Sequence, residues 1–381
     1  MSSPEMIEHI LKSGLAGRGG GAFLTGAKWK AVADRKAPVR YVICNGAEGE
    51  PGSFKDRAIL SAYSQLVFEG MTIAAIAAGA REGILFLRAE YAYMRPHLES
   101  VLNARKENGQ LGKNINGVKG ADFEITIREG DGAYICGQET ALIEFLEGFR
   151  GEPRNRPPYP AENGYYGCPT LVHNVETLGW VTSIFEKGVK WFRSLGSKRS
   201  PGLKLFSVSG DCASPGVYEF PLGLSVNEIL EVVGAGDVKG VQIGGASGKI
   251  INPLQFERKI DAVDLPYGGA IIIFGKNRDM LEVAHSYLEF FSKESCGQCT
   301  PCRAGIVKIL NGVKALRDGS CTMSYLNRLV ELGETIELSS KCGLGQSAPA
   351  AFLSIVKHYP DELTGKRGDN RGYNRGEINE A

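Results

Sequence analysis

The chain has 381 residues, 43% of them apolar and 23% charged, enough for two or three domains around a sizeable core and ordinary for a soluble globular protein. Its net charge of +1 excludes partners held by bulk charge alone, so neither nucleic acid nor a membrane surface is expected. No run of about 18 apolar residues is present, and Met1 to Met6 lack the basic-then-apolar pattern of a secretory signal, so the chain is expected in the cytoplasm without direct membrane insertion. Nine cysteines in such a chain fit a metal role in a reducing compartment, and 50 glycines without a repeat suggest tight loops and close backbone approach to ligands.

In chain order, Glu5 to Ser13 reads as a short helix ending at Gly14, followed by a glycine-rich loop at 17–22 and a helix from Thr25 to Asp34. Arg40 to Cys44 is a buried strand, and Asn45-Gly46 opens a loop. A helix over about 56–79, a strand at Gly83 to Leu87, a helix from Tyr93 to Asn108 and a strand at Phe123 to Ile127 follow. Alternating strands and helices imply an α/β layer with a largely parallel sheet. A Pro-rich stretch, 151–170, interrupts it, and a long element-free segment is usually functional. From Leu203 the pattern becomes one helix, Ser225 to Val233, among short strands: a hairpin at 204–208 and 216–220, then strands near 240–244 and 270–274. That pattern resembles a β-grasp (ubiquitin-like) module. The last part reads as a helical bundle: Asp279 to Lys293, a helix capped by Thr300 with Pro301 first, Met323 to Leu338, and Pro349 to His358. The expected division is 1–200, 201–276 and 277–363, with a disordered tail at 364–381.

The chemistry is most legible in the last part. Cys296, Cys299 and Cys302 stand at C-x2-C-x2-C spacing, which lets three thiolates take three corners of a [4Fe–4S] cube while a distant cysteine supplies the fourth. Cys342, in a Gly-punctuated turn, suits that place better than Cys321. Zinc sites usually pair two short doublets, and none partners this run; thiols so close in sequence are also badly placed for bridging to one another.

The glycine loops are the candidate entry point for electrons. Gly17-Arg18-Gly19-Gly20-Gly21-Ala22 matches G-x-G-x-x-G/A by letter, but a helix rather than a strand precedes it, so the Rossmann fingerprint lacks its context. Its backbone N–H groups, with Arg18 and Lys28, still suit a phosphate; a plain turn is the alternative. Glu48 and Glu50, after the strand at 40–44, are placed to accept hydrogen bonds from ribityl or ribose hydroxyls, or else form a solvated acidic loop. Gly132 to Leu142 is a second glycine loop feeding a helix, and Arg154, Arg156, Pro157, Pro158, Tyr159 and Pro160 form a stiff strip able to lie over an adenine.

Taken in order, the loop at 17–29, the strand and loop at 44–57, the segment 132–142, the stretch Gly151 to Thr177 and the cysteine run resemble one family over nearly residues 1–365. It is the flavin- and NADH-binding subunit of respiratory complex I, with its relatives in NAD(P)-linked hydrogenases and formate dehydrogenases. The resemblance implies FMN, NAD(H) or NADP(H) and one [4Fe–4S] cluster, on a Rossmann-like domain, a β-grasp domain and a helical cluster domain. Carried over by motif, Gly17, Arg18, Gly19, Gly20, Lys28, Asn45, Glu48, Tyr134, Gly137 and Asn174 would hold FMN. Phe23, Glu50, Gln138, Glu139 and Tyr159 would line the dinucleotide site. Three positions depart from the family: Ala47 stands where Asp is usual, Gln138-Glu139 where two acids are usual, and His173-Asn174 where two asparagines are usual. Hydride transfer by FMN needs no acid–base residue. The expected partners are a separate thioredoxin-like [2Fe–2S] subunit and a larger iron–sulfur subunit of a hydrogenase, formate dehydrogenase or complex I. Physiological reduction of NAD(P)+ with electrons from hydrogen or formate, and a flavin-poor relay scaffold, are the alternatives.

Overall fold

The computed structural model describes residues 1–266 and 268–363; the expected disordered tail lies outside them. In the first part α1 (Ser3–Ser13) starts where the Glu5 carboxylate accepts the Ser2 amide at 2.6 Å and stops at Gly14, whose φ of 71° suits a residue without Cβ. After α2 (Thr25–Ala33) come β1 (Tyr41–Gly46), α3 (Lys55–Ala78), β2 (Glu82–Leu87), α4 (Arg95–Glu107), β3 (Glu124–Glu129), α5 (Glu139–Leu146), β4 (Thr170–Asn174), α6 (Val175–Lys187) and α7 (Val189–Ser194). The sheet order is β3-β2-β1-β4, and every pair is parallel. Such strands are buried on both faces and read as apolar runs, as Val42, Ile43 and Cys44 do.

Helix α3 is long and apolar enough by composition to cross a bilayer, which a search for an unbroken apolar run misses. It is packed as the core helix: Val67, Phe68, Met71, Ala74 and Ala75 are all buried, and α6 lies against it so closely that a Cβ on Gly70 would stand 2.0 Å from the Leu178 carbonyl oxygen.

The second part is a mixed five-stranded sheet of β5 (Leu203–Gly210), β6 (Gly216–Pro221), β7 (Val238–Ile243), β8 (Lys249–Ile251) and β9 (Ala270–Gly275), with α8 (Val226–Val232) between β6 and β7. Its order is β6-β5-β9-β7-β8, with β5 and β9 parallel and the other pairs antiparallel. The last part is helical: α9 (Met280–Glu294), a π-helical turn Pro301–Gly305 that runs into α10 (Ile306–Arg317), α11 (Met323–Ser339), α12 (Gly343–Ser347), α13 (Ala350–His358) and α14 (Pro360–Leu363).

Thr300 does not cap a helix. It already has helical backbone angles (φ −60°, ψ −43°) and its side chain makes no cap bond. Thr322 caps α11 instead, accepting from the Tyr325 amide. Strand β4 and helix α6, which end the interruption at 151–170, are not foreseen from the sequence, nor is the short β8.

Three apolar cores result. One lies between the parallel sheet and helices α1 to α4, α6 and α7. The second covers the other sheet face, with Ile43, Ile84, Phe86 and Val172, and runs without a break through α5 into the C-terminal helices. The third lies between the mixed sheet and α8.

Candidate functional site

A cleft of about 480 Å3 opens beyond the carboxyl ends of β1 and β4, where ligands of parallel α/β sheets bind. Its walls come from all three parts: the Gly19–Gly21 loop, Asn45 and the residues after β1, the turn around Tyr134 to Gln138, Asn174 at the start of α6, the mixed sheet's Gly244, Ser247, Gly248, Pro266, Gly268 and Gly269, and Gly343, Leu344 and Ser347 of α12.

Glycine lets the elements around this cleft approach one another closely, because a side chain would strike the facing wall. A Cβ on Gly19 would stand 2.9 Å from the Asn174 Cβ, on Gly49 3.0 Å from the Tyr134 ring, and on Gly245 2.5 Å from the Glu50 Cγ. Gly17 closes the first loop by donating to the Phe23 carbonyl at 2.8 Å. The amides of Gly19 and Gly20 make no protein hydrogen bond of normal geometry among the described residues. Bare N–H groups beside the N-terminus of the 13-residue α6 are a fitting cradle for a phosphorylated flavin.

Nine of the residues expected from the sequence line this cleft: Gly19, Gly20, Asn45, Glu48, Glu50, Tyr134, Gly137, Gln138 and Asn174. Their roles differ from the expectation in one respect. The Glu48 carboxylate is not offered to a ligand's hydroxyls; it accepts from Ser53 Oγ, the amides of Asp56 and Arg57, and Tyr91 O–H, at 2.8–2.9 Å, and so pins the start of α3. Glu50 accepts from Tyr134 O–H at 2.6 Å and from the Ser247 amide and hydroxyl. Burial pushes its carboxyl above the ordinary value, against the lowering effect of those bonds. Tyr134 in turn packs edge-on against Phe290 and donates its amide to Glu294, two residues before Cys296. Asn45 donates to the Gly137 carbonyl at 2.8 Å, tying the two ligand loops together.

Beside the cleft, Lys28, Glu139, Phe23 and Tyr159 form a neighbouring group rather than part of its wall. Lys28 pairs with Glu139 at 2.8 Å and lies 6.0 Å from the centre of the Phe23 ring. Arg156 reaches the same carboxylate at 3.5 Å and covers Tyr159. Phe23 and Tyr159 are more than half exposed. Gln138 caps α5: its carbonyl oxygen accepts from the Thr140 and Ala141 amides.

Beneath the cleft lies a buried ion network that sequence reasoning missed. Lys55 Nζ meets Asp56 at 2.6 Å, Glu176 at 3.0 Å and Asn174 Oδ1 at 3.2 Å. Glu176 also receives Lys204 from β5 at 3.0 Å and the Leu205 amide. Burial alone would raise the Glu176 carboxyl; Lys204, Lys55 and Arg18 outweigh it and hold it down to about 2. The signal was present in Lys55-Asp56, inside the loop already singled out, but no spacing rule links it to Lys204, about 150 residues on. Arg18 also differs from expectation. Its guanidinium is buried, donates to the Pro201 carbonyl at 2.9 Å and covers Phe192, away from the cleft wall. His173 faces α2 rather than the cleft and accepts the Trp29 indole N–H at 3.0 Å.

The four cysteines come together at the junction of α9, the π-helical turn and α12. Cys302 and Cys342 are buried in one core, with Cys296 and Cys299 packed against it. Burial first, then Cys299, Cys342 and Cys296, pushes the Cys302 thiol up to about 11. Burial pushes the Cys342 thiol up as well, against the lowering effect of the nearby Gly345 and Leu344 amides. Cys321 feels burial but none of these thiols. No three potential ligands among the described residues close on a single ion, whereas a four-iron cube spreads its thiolates wider. Gly345 makes room here, since a Cβ would stand 3.1 Å from the Cys302 Cβ. All nine cysteines are free of disulfides. Four thiols gathered at one junction, two of them buried and two packed against the same core, are a donor set that an iron–sulfur cluster fits.

Two protein families match the regions that hold most of the cleft and the four cysteines. Residues 10–183 match the Nuo51 FMN-binding domain, and residues 282–366 match the NADH-ubiquinone oxidoreductase-F iron-sulfur binding region. The chain is 46% identical to the alpha subunit of the NAD-reducing hydrogenase HoxS of Cupriavidus necator, over 94% of this chain and 60% of that one. It is 37% identical to HndC, a component of the NADP-reducing hydrogenase of Solidesulfovibrio fructosivorans, over 97% of this chain and 78% of that one. With the F 2 polypeptide of the NADH-quinone oxidoreductase of Rhizobium meliloti it shares 38% over 94% of this chain and 88% of that one. The crystal structure of an NAD+-reducing [NiFe]-hydrogenase in the H2-reduced state superposes with a TM-score of 0.89 at 40% identity, over 95% of this chain and 62% of that one. This chain therefore belongs to the family of FMN- and [4Fe–4S]-binding subunits of NADH-quinone oxidoreductases and NAD-reducing hydrogenases.

Proposed function

We propose that this chain is the nicotinamide-facing electron-transfer subunit of a multi-subunit oxidoreductase, passing a hydride between NAD(P)H and FMN and single electrons between FMN and one [4Fe–4S] cluster. One observation carries the reading: Gly343 and Leu344, directly after Cys342, form part of the wall of the glycine-lined cleft. The flavin site and the cluster loop thus share a surface, and no intervening carrier is needed. When bound, FMN supplies the change from two-electron to one-electron chemistry and the cluster takes electrons singly.

The protein's own residues bind and orient. Gly19, Gly20 and the start of α6 receive the flavin phosphate, Asn174 and Asn45 hold the two sides of the cleft, and Glu50 presents a carboxylate to the dinucleotide's hydroxyls. Phe23 and Tyr159 offer faces to its rings, while Lys28 and Arg156 balance its phosphates against Glu139. The mixed sheet is a β-grasp module, and the chain divides at 1–200, 201–276 and 277–363. The partners are a thioredoxin-like [2Fe–2S] subunit and a larger iron–sulfur subunit, in the cytoplasm. Reduction of NAD(P)+ is the favoured physiological direction, because the 46% identical relative belongs to an NAD-reducing hydrogenase. The glycine walls argue against a flavin-poor scaffold, which would have no use for them. The test is NADH- and NADPH-dependent reduction of a viologen or ferricyanide by the purified chain with and without added FMN. Flavin-dependent turnover supports the reading; none with either nucleotide removes it.

A further inference from the structure

The segment between the two matched regions, residues 184–281, falls in neither the FMN-binding nor the iron-sulfur match, yet it reaches under the flavin cleft. Lys204 of β5 is fully buried, and its ammonium donates to the Arg18 carbonyl at 2.7 Å and to Glu176 at 3.0 Å. From the other side, the Arg18 amide donates to Thr177 Oγ1 of α6 at 2.8 Å, and Thr177 is fully buried as well. Residue 18 is therefore held at both its N–H and its C=O, by two elements that are each far from it in sequence. Gly19 and Gly20, which follow it, carry amides that no acceptor among the described residues takes. In a planar trans peptide the C=O and the following N–H point in opposite directions. Fixing the Arg18 carbonyl onto Lys204 therefore also fixes the direction of the Gly19 N–H.

A glycine loop has too much conformational freedom to hold that direction unaided, and a buried lysine is an expensive way to make only a structural contact. Building on the FMN reading above, we infer that Lys204, with Thr177, is a positioning residue that orients the Arg18–Gly19 peptide for the phosphate of the flavin, so that the mixed sheet is part of the flavin site and not a spacer.

The distinguishing probe is riboflavin, which has the same ring and ribityl chain without the phosphate. The full chain, freed of flavin, is titrated with FMN and with riboflavin by quenching of flavin fluorescence, with iron content confirming an intact fold. Wild type binds FMN more tightly than riboflavin. Lys204→Met keeps the stem and removes the donor, with Glu176 still paired to Lys55. It lowers FMN affinity by about tenfold or more and leaves riboflavin affinity unchanged. Thr177→Val, nearly the same volume, acts in the same sense and carries the test if Lys204→Met does not fold. Equal weakening of both ligands in these variants, or unchanged FMN affinity, overturns the inference while leaving the FMN reading intact. Failure of the wild type to bind either flavin overturns both.

Discussion

At the scale of single residues, two departures from the family pattern become testable. Gln138 has its carbonyl oxygen fixed by the Thr140 and Ala141 amides, which leaves its amide nitrogen on a cleft-lining residue. Carboxylates commonly select NAD at the adenosine ribose and repel a 2′-phosphate; an amide does not. Gln138→Glu is expected to raise the NADH:NADPH ratio of kcat/KM by about tenfold, about 1.4 kcal/mol of discrimination, measured on the two nucleotides side by side. His173, the second departure, is a buried base turned toward Trp29. Burial first and Lys28 second push its imidazole down from 6.5 to about 3. Between those values the unfolded chain binds the extra proton, so stability falls as pH drops below about 6.5, by about 1.4 kcal/mol per unit. His173→Gln, which can still accept from Trp29, is expected to shrink the loss of thermal stability between pH 7 and pH 5 by roughly 2 kcal/mol. An unchanged pH dependence would mean that His173 titrates normally.

At the scale of elements, much was legible where period and punctuation agree. Helix α1 ends at the foreseen Gly14, and β1, β2 and β3 appear as foreseen to within a residue or two. The misses have physical causes. Strand β4 is only five residues long and ends in His173-Asn174, so it borrows its strand character from β1, its partner. Thr300 and Pro301 carry the letters of a cap, yet the backbone there winds into a π-helical turn that holds Cys302, a proposed cluster ligand, and Thr300 is already helical. The turn holding Tyr134 is a joint between cleft and cluster. Tyr134→Phe deletes the donor to Glu50 and should destabilise the protein by about 1–3 kcal/mol. It should also move the pH dependence of dinucleotide binding upward, because that bond is one of those holding the Glu50 carboxyl down. In the cluster loop, Cys342→Ala should abolish or convert the cluster's EPR signal, whereas Cys321→Ala should leave it unchanged.

At the scale of the whole molecule, motif order carried the site better than single motifs did. The glycine loop alone fails its Rossmann context, but five motifs in sequence converge on one cleft and one cluster loop. What remained hidden was long-range: Lys204 meeting Glu176, Ser247 meeting Glu50, and α12 walling the cleft. These contacts join segments that no local pattern couples. They make the site a property of the assembled chain, since one apolar core runs from the parallel sheet into the cluster helices.

The most direct measurement is EPR of the anaerobically purified chain, reconstituted with FMN and iron and reduced with NADH or NADPH. One flavin and about four iron atoms per chain are expected, with a reduced-cluster signal that appears on adding the nucleotide and only when FMN is present. A cluster reduced equally well without flavin, or a chain holding zinc and no iron, would contradict the proposed function.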